Sequence, residues 1–365
     1  MKAFKLWTLA VIALAISFLT ACSTSDNSEP QSEGKTMKIG INLDCEDLAT
    51  RAATNHSGHK LRFIAILYEG SYNNTSMLYF TRKELIDGET GDNNLQNFLE
   101  FDADPNKKYT IHLFADYIPE DATLKDGQMG MVSFKTYGDY YYQTTVKDNL
   151  TMLSTPQSPN SYTPDSRFFN NDNYDCFAFM ETFEKKTNNY LIDAKLKRIV
   201  SKIRFVDNSA NSGSYRVGVK RLGYYRQIDF VNSIAVRPYS FDSDKDFEEV
   251  TVSNNKAINS SDKELLFFYS FATKSGTSLE ETVYLSFTTT PSSGGSKTFV
   301  TKDLSIKRNH ITTVTGQFLD EDLGNSNNPG DEDPEDPSLQ EGNKVFVNLG
   351  IEQEEWGTLS SSWTN

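Results

Sequence analysis

The side chains able to do chemistry are few and scattered. Four histidines, His56, His59, His112 and His310, stand in 365 residues. His56-Ser57-Gly58-His59 is the only close pair; a zinc ion would need further ligands, and none lies nearby in sequence. His112 and His310 fall in runs that read as strands, where a packed imidazole is commoner than a catalytic one. Asp and Glu together number 50, so a chance pair of glycosidase type is expected, yet no motif singles out two of them. Asp331-Glu332-Asp333 lacks the Asp-x-Asp-x-Asp-Gly spacing and distant Glu of a calcium loop. Gly294-Gly295 sits in a turn between strands with no phosphate-loop pattern. Cys176, in Tyr174-Asp175-Cys176-Phe177, carries no nucleophile signature. The residues point to a non-enzyme with no catalytic residue, no metal site and no cofactor.

One cysteine stands apart. Lys2 and Lys5 precede an apolar run from Leu6 to Phe18, too short to span a bilayer, and Leu19-Thr20-Ala21-Cys22 closes it with small residues. That ending looks like a bacterial lipobox, in which the cysteine sulfur receives a diacylglycerol and the chain is cut before it. The expectation is a signal peptide over 1–21, with Cys22 as a lipidated N-terminus at the outer membrane. Two or more acyl chains, each adding about 0.8 kcal/mol per buried CH₂, make a lasting anchor. An ordinary signal peptide cut after Ala21 is the alternative. Ser23 to Lys35 is small, polar or acidic and reads as a tether. Three cysteines exclude a disulfide-stapled scaffold; Cys45 and Cys176 either pair or act as small buried apolar residues. A net charge of −14 argues against nucleic acid as a partner.

The elements that would carry any site read as β throughout. Aromatic residues make up 12% of the chain, mostly Phe and Tyr, which favour pleated, half-buried surfaces. The clearest runs are Leu61–Tyr68, Tyr109–Asp116, Glu264–Phe271, Thr282–Thr288 and His310–Phe318, set between clusters of Asn, Asp, Ser and Gly. No segment sustains a 3.6-residue apolar period long enough for a major helix. An all-β chain with a pair of sandwiches follows. The loop-like stretch Thr155–Asn173 and the charged break Glu184–Asn189 precede a strand read over Ile192–Phe205. The second sandwich is therefore expected from about residue 190.

Two terminal segments share a pattern. Lys38-Ile39-Gly40-Ile41-Asn42-Leu43-Asp44-Cys45 directs Ile39, Ile41, Leu43 and Cys45 to one face. Beyond an acidic stretch over 320–343, which repels itself and stays extended, Lys344–Glu352 directs Val345, Val347, Leu349 and Ile351 to one face. Arg51-Ala52, in a run of small and polar residues, is open to a trypsin-like protease. A cut there would let the first strand leave and the C-terminal strand of a neighbouring copy replace it. Each such joint is heterologous, so the assembly is an open filament. The plainer reading has both strands stay in their own sheets, the first as an edge strand.

This layout resembles the fimbrillin family, the structural subunits of type V pili. The lipobox at Cys22 and the basic residue at Arg51-Ala52 carry the likeness. So do Leu196-Lys197-Arg198-Ile199-Val200-Ser201-Lys202-Ile203-Arg204-Phe205 and Ile306-Lys307-Arg308-Asn309-His310-Ile311. The resemblance implies two tandem transthyretin-like β-sandwich domains and a C-terminal donor-strand tail. The expected organisation is a signal peptide over 1–21, a tether and propeptide with the first strand over 22–51, and an N-terminal sandwich over 52–189. A C-terminal sandwich over 190–319, the acidic linker over 320–343 and the donor-strand segment over 344–365 complete it. It also implies a lipoprotein precursor at the cell surface, processing after Arg51 by an arginine-specific protease, and polymerisation into a fimbrium that supports adhesion. The partners would be identical or homologous pilus subunits, the outer membrane through the lipid on Cys22, and the processing protease. The alternative is a monomeric surface lipoprotein binding glycan or another host ligand through exposed Tyr140, Tyr141, Tyr142, Tyr224 and Tyr225.

Overall fold

A computed structural model describes residues 37–45, 56–70, 80–129, 132–144, 149–153, 167–184, 189–209, 213–229, 234–236, 248–258, 263–273, 281–291, 297–319 and 350–355. In chain order the strands are β1 (Met37–Cys45), β2 (His59–Glu69), β3 (Phe80–Ile86), β4 (Phe98–Ala103), β5 (Lys108–Pro119), β6 (Lys125–Met129) and β7 (Val132–Thr136). Next come β8 (Tyr142–Gln143), β9 (Asn149–Met152), β10 (Cys176–Glu184), β11 (Tyr190–Arg198), β12 (Val200–Asp207), β13 (Gly213–Gly223) and β14 (Gln227–Asp229). The rest are β15 (Ile234–Val236), β16 (Glu248–Ile258), β17 (Glu264–Phe271), β18 (Glu281–Pro291), β19 (Lys297–Ile306), β20 (His310–Gly316) and β21 (Gly350–Glu355). No α-helix occurs among the described residues, and the chain is all-β.

Seven strands form one sheet in the order β3-β2-β5-β10-β11-β1-β4. Their period of two sends Leu61, Phe63, Ala65 and Leu67 of β2 to the same core as Ile111, Leu113 and Ala115 of β5. Ile192, Ala194 and Leu196 of β11 join them there. Across the two ends of that order, Lys83 Nζ of β3 donates to the Glu100 carbonyl of β4 at 2.5 Å.

The later strands build a sandwich from β17-β12-β20-β21 and β16-β13-β18-β19. Phe205 on one sheet meets Phe287 on the other with ring centroids 5.2 Å apart, and Phe318 closes on Phe287 at 5.3 Å. The same buried cluster extends through Tyr142, Phe168 and Tyr174 to Ile64 and Phe114, which leave β2 and β5 on the face opposite the first core. A small sheet, β15-β14-β9-β8, joins residues 142–152 to residues 227–236.

Two expectations change. Ile192–Phe205 is not one strand but two in different sheets: β11 lies in the seven-stranded sheet, and the chain crosses to the sandwich at Ile199. The physical reason is visible in burial. Along β11 buried and exposed residues alternate, whereas Arg198, Ile199, Val200 and Ser201 are buried in succession, which a single two-faced strand beside solvent does not allow. At the other end of the chain, β21 lies antiparallel to β20 with Ile351 opposite Val314, so this part of the C-terminal segment is paired within its own chain.

Candidate functional site

The strand read as removable, β1, is not an edge strand. It lies between β11, to which it runs parallel, and β4, to which it runs antiparallel. Alternating Ile39, Ile41 and Leu43 favour extended backbone with one apolar face, and that face is sealed: Ile39 and Ile41 are 0% exposed and Leu43 3%. Met37 joins them.

The outward face is held by polar contacts. Lys38 Nζ pairs with Asp102 at 2.5 Å and Glu100 at 3.3 Å, and Asp102 first, then Glu100, raises its pKa. Asn42 Nδ2 donates to Asp193 Oδ1 at 3.3 Å. At Gly40 a Cβ would stand 2.7 Å from Phe98 Cζ, so the missing side chain lets the Phe98 ring lie over the strand. Chemically the position of β1 is a lane one strand wide. It offers main-chain groups on both sides, an apolar floor, two carboxylates at one end and one between.

Of the remaining predicted positions, Cys22, Arg51, Ala52, Val345, Val347 and Leu349 lie outside the described residues. Cys45 ends β1 opposite Leu196. Cys176 is a free, fully buried thiol, so it forms no disulfide with Cys45. Burial pushes its pKa well up, which makes it inert.

The histidines hold structure together. His56 stacks on Tyr117 with centroids 3.5 Å apart and bonds Asn173 Oδ1 at 3.2 Å, while His59 Nε2 bonds the Tyr141 hydroxyl at 2.8 Å. His310 Nδ1 lies 2.8 Å from the Arg308 carbonyl. Among the described residues no cluster of three or more His, Cys, Asp or Glu is arranged to hold a metal ion. The exposed tyrosines of the glycan-binding alternative need correcting: Tyr141, Tyr142 and Tyr224 are buried, and Tyr140 and Tyr225 pack against the same core. Adjacency in sequence carries no information on which sheet covers a tyrosine.

Sequence reasoning missed two buried ion clusters. Arg198 binds both oxygens of Asp175, at 2.7 and 3.0 Å, and reaches Asn309 Oδ1 at 2.9 Å. Asn309 has a left-handed backbone (φ 58°) that Asn tolerates, and its N–H donates to the Val200 carbonyl. The two stretches read as family-like, around Arg198 and around Asn309, thus meet at one junction. In the first sheet, Arg62 grips Asp116 at 2.7 and 2.8 Å and touches Glu84, which also binds Arg82. Burial alone would raise the Glu84 pKa, but Arg62 and Arg82 outweigh it and hold it low.

Residues 29–335 match the model of a family described as a family of unknown function (DUF6562). The chain belongs to that family. No curated protein matches it. Among solved structures it is similar to the tip fimbrial protein Mfa3 from Porphyromonas gingivalis with C-terminal truncation, at 9% identity and a TM-score of 0.37, covering 88% of this chain and 100% of that one. It is also similar to a fimbrial assembly protein from Parabacteroides distasonis, at 12% identity and a TM-score of 0.34, covering 77% and 90%. A third is a candidate cell adhesion protein from Bacteroides eggerthii, at 12% identity and a TM-score of 0.42, covering 91% and 98%. These are distant likenesses, and the description of the DUF6562 family makes no fimbrillin assignment.

Proposed function

We propose that this member of the DUF6562 family is a non-enzymatic structural subunit of a cell-surface fimbria, polymerising by exchange of β1 for the C-terminal strand of a second copy and supporting adhesion. One observation carries the reading. Lys38-Ile39-Gly40-Ile41-Asn42-Leu43-Asp44-Cys45 and Lys344-Val345-Phe346-Val347-Asn348-Leu349-Gly350-Ile351 place Lys, apolar, apolar, Asn, Leu and apolar at the same spacing. Five of the six shared positions have a task in the lane: Ile39, Ile41 and Leu43 fill its floor, Lys38 meets Glu100 and Asp102, and Asn42 meets Asp193. An incoming segment in this register would run parallel to β11 and reuse every one of these contacts. Only Phe346 in place of Gly40 conflicts with the Phe98 ring, which must swing aside.

Two preparatory steps follow. A cut after Arg51 breaks the covalent link between the body and β1 with the lipid on Cys22, so that β1, still held by its lane, can be displaced by an incoming strand and the lipid serves only to deliver the subunit to the surface. Gly350 and Ile351 must also leave β20, since both belong to β21 and to the matching segment. Exchange between copies therefore competes with pairing at home. The test uses the Cys22→Ala chain, which cannot be acylated, treated with an arginine-specific protease and viewed by negative-stain microscopy. Filaments that vanish when the chain is ended at Asp336 support the reading; a stable monomer after complete cleavage at Arg51 refutes it.

A further inference from the structure

The outer side of β4 should be an exposed edge, because β4 ends the seven-stranded sheet. Leu43 N–H bonds the Asn97 carbonyl, so in the antiparallel β1–β4 ladder the alternate residues Phe98, Glu100 and Asp102 turn their main-chain groups away from β1. Such a row is a template for a strand of another chain. Here it is covered. Asp92 Oδ2 accepts the Glu100 N–H at 2.8 Å, and Lys83 Nζ donates to the Glu100 carbonyl at 2.5 Å. Lys83 and Asp92 pair with each other at 2.6 Å, and the ammonium stands 5.2 Å from the centre of the Phe101 ring. Gly91 presses flat on Phe98: a Cβ there would lie 1.6 Å from the Phe98 carbonyl oxygen.

The turn that supplies this cover is itself braced. Thr90 and Gln96 form a β-bridge, Gly91 N–H bonds the Leu95 carbonyl at 2.8 Å, and Asn97 Nδ2 bonds Asp87 at 2.7 Å. Gly88, Asn93, Asn94 and Asn97 supply the four left-handed positions that let the chain fold back on β4.

We infer that residues 87–97 with Lys83 are an edge guard, which occupies the main chain of β4 and prevents a second copy of this chain from pairing there through its own β4. The partner is set by symmetry: the same edge on two copies is self-complementary and would form an isologous antiparallel pair. With this edge closed, the β1 position is left as the lane beside β4 for an incoming strand; that last consequence alone rests on the exchange reading.

The test uses the uncleaved Cys22→Ala chain, so strand exchange is not engaged and its failure would not affect the result. Lys83→Met with Asp92→Ala removes both side-chain partners of the Glu100 main chain while keeping the Lys83 stem length over Phe101. At low concentration the Glu100 amide should exchange its hydrogen roughly tenfold faster or more than in the parent. At high concentration, sedimentation should show a dimer in which that amide is protected again. Lys83→Arg, which keeps a donor, should remain monomeric. If the double variant does not fold, Asp92→Ala alone, which removes the acceptor of the Glu100 N–H, carries the same two measurements. An unchanged exchange rate at Glu100, or faster exchange with no dimer at any concentration, overturns the proposal.

Discussion

Replacing Ile41 by Ala tests how firmly the lane holds its strand. Ile41 is 0% exposed and stands between Leu99 of β4 and Ile192 of β11, so nothing nearby can collapse into the space without moving a ladder. An Ile→Ala change at such a site costs about 2–5 kcal/mol, and each 1.4 kcal/mol is a factor of ten in an equilibrium constant. After a cut at Arg51, the N-terminal fragment of the unsubstituted Cys22→Ala chain should stay bound through a size-exclusion column. The Ile41→Ala fragment should bind roughly 30-fold or more weakly, at the lower end of that cost. Fragment remaining with the body is read by mass spectrometry over time. Asn42→Ala, on the outward face, is the control, expected to change release about twofold. Equal release for Ile41→Ala and the parent, or immediate loss of the parent fragment, would refute the claim that this floor is what retains β1.

Other predictions concern the frame around the lane. Arg198→Ala leaves Asp175 buried without its bidentate partner and should cost about 3–5 kcal/mol in chemical denaturation, more than the Arg198→Ala, Asp175→Ala pair. His112 is held neutral, its pKa pushed down to about 4 by burial against a small opposing pull from Asp229. The unfolded chain takes up that proton near its ordinary pKa of about 6.5 while the folded chain does not, so stability should fall as pH drops from about 6.5 to about 4, by roughly 3 kcal/mol in all. Comparing His112→Phe with the parent across that window should remove this part of the slope; identical slopes would mean that His112 protonates freely in the fold.

Short alternating or apolar runs were enough to locate β2, β5, β17, β18 and β20; β2, β5 and β17 are covered on both faces and so stand out as near-continuous apolar stretches. The crossing at Ile199 was hidden since Val200, Ile203 and Phe205 continue an apolar run, and a change of sheet leaves no mark when both sides are buried. That β1 lies parallel to β11, with Ile41 opposite Ile192, is a pairing across most of the first half of the chain that no local pattern encodes. Arg198 and Asn309 stood in stretches noticed for their likeness to a family, yet their bond spans 111 positions and only the fold reveals it. The edge guard drew no sequence reading: Gly88, Gly91 and the asparagines are turn formers, and nothing in their order marks a cover. Its task depends on β4 being the last strand of a sheet.

The most direct test of strand exchange is a covalent trap of the expected register. Gly40 is paired with Leu191 of β11, so a segment entering in the register of β1 brings residue 346 opposite residue 191. In a chain carrying Cys22→Ala and Cys45→Ala, the further changes Leu191→Cys and Phe346→Cys place one thiol on each side of that joint. After cleavage at Arg51, strand exchange should give a ladder of disulfide-linked chains on a non-reducing gel, absent before cleavage and collapsed by reductant. Monomers alone after complete cleavage, or the same cross-links in the uncut chain, would contradict it.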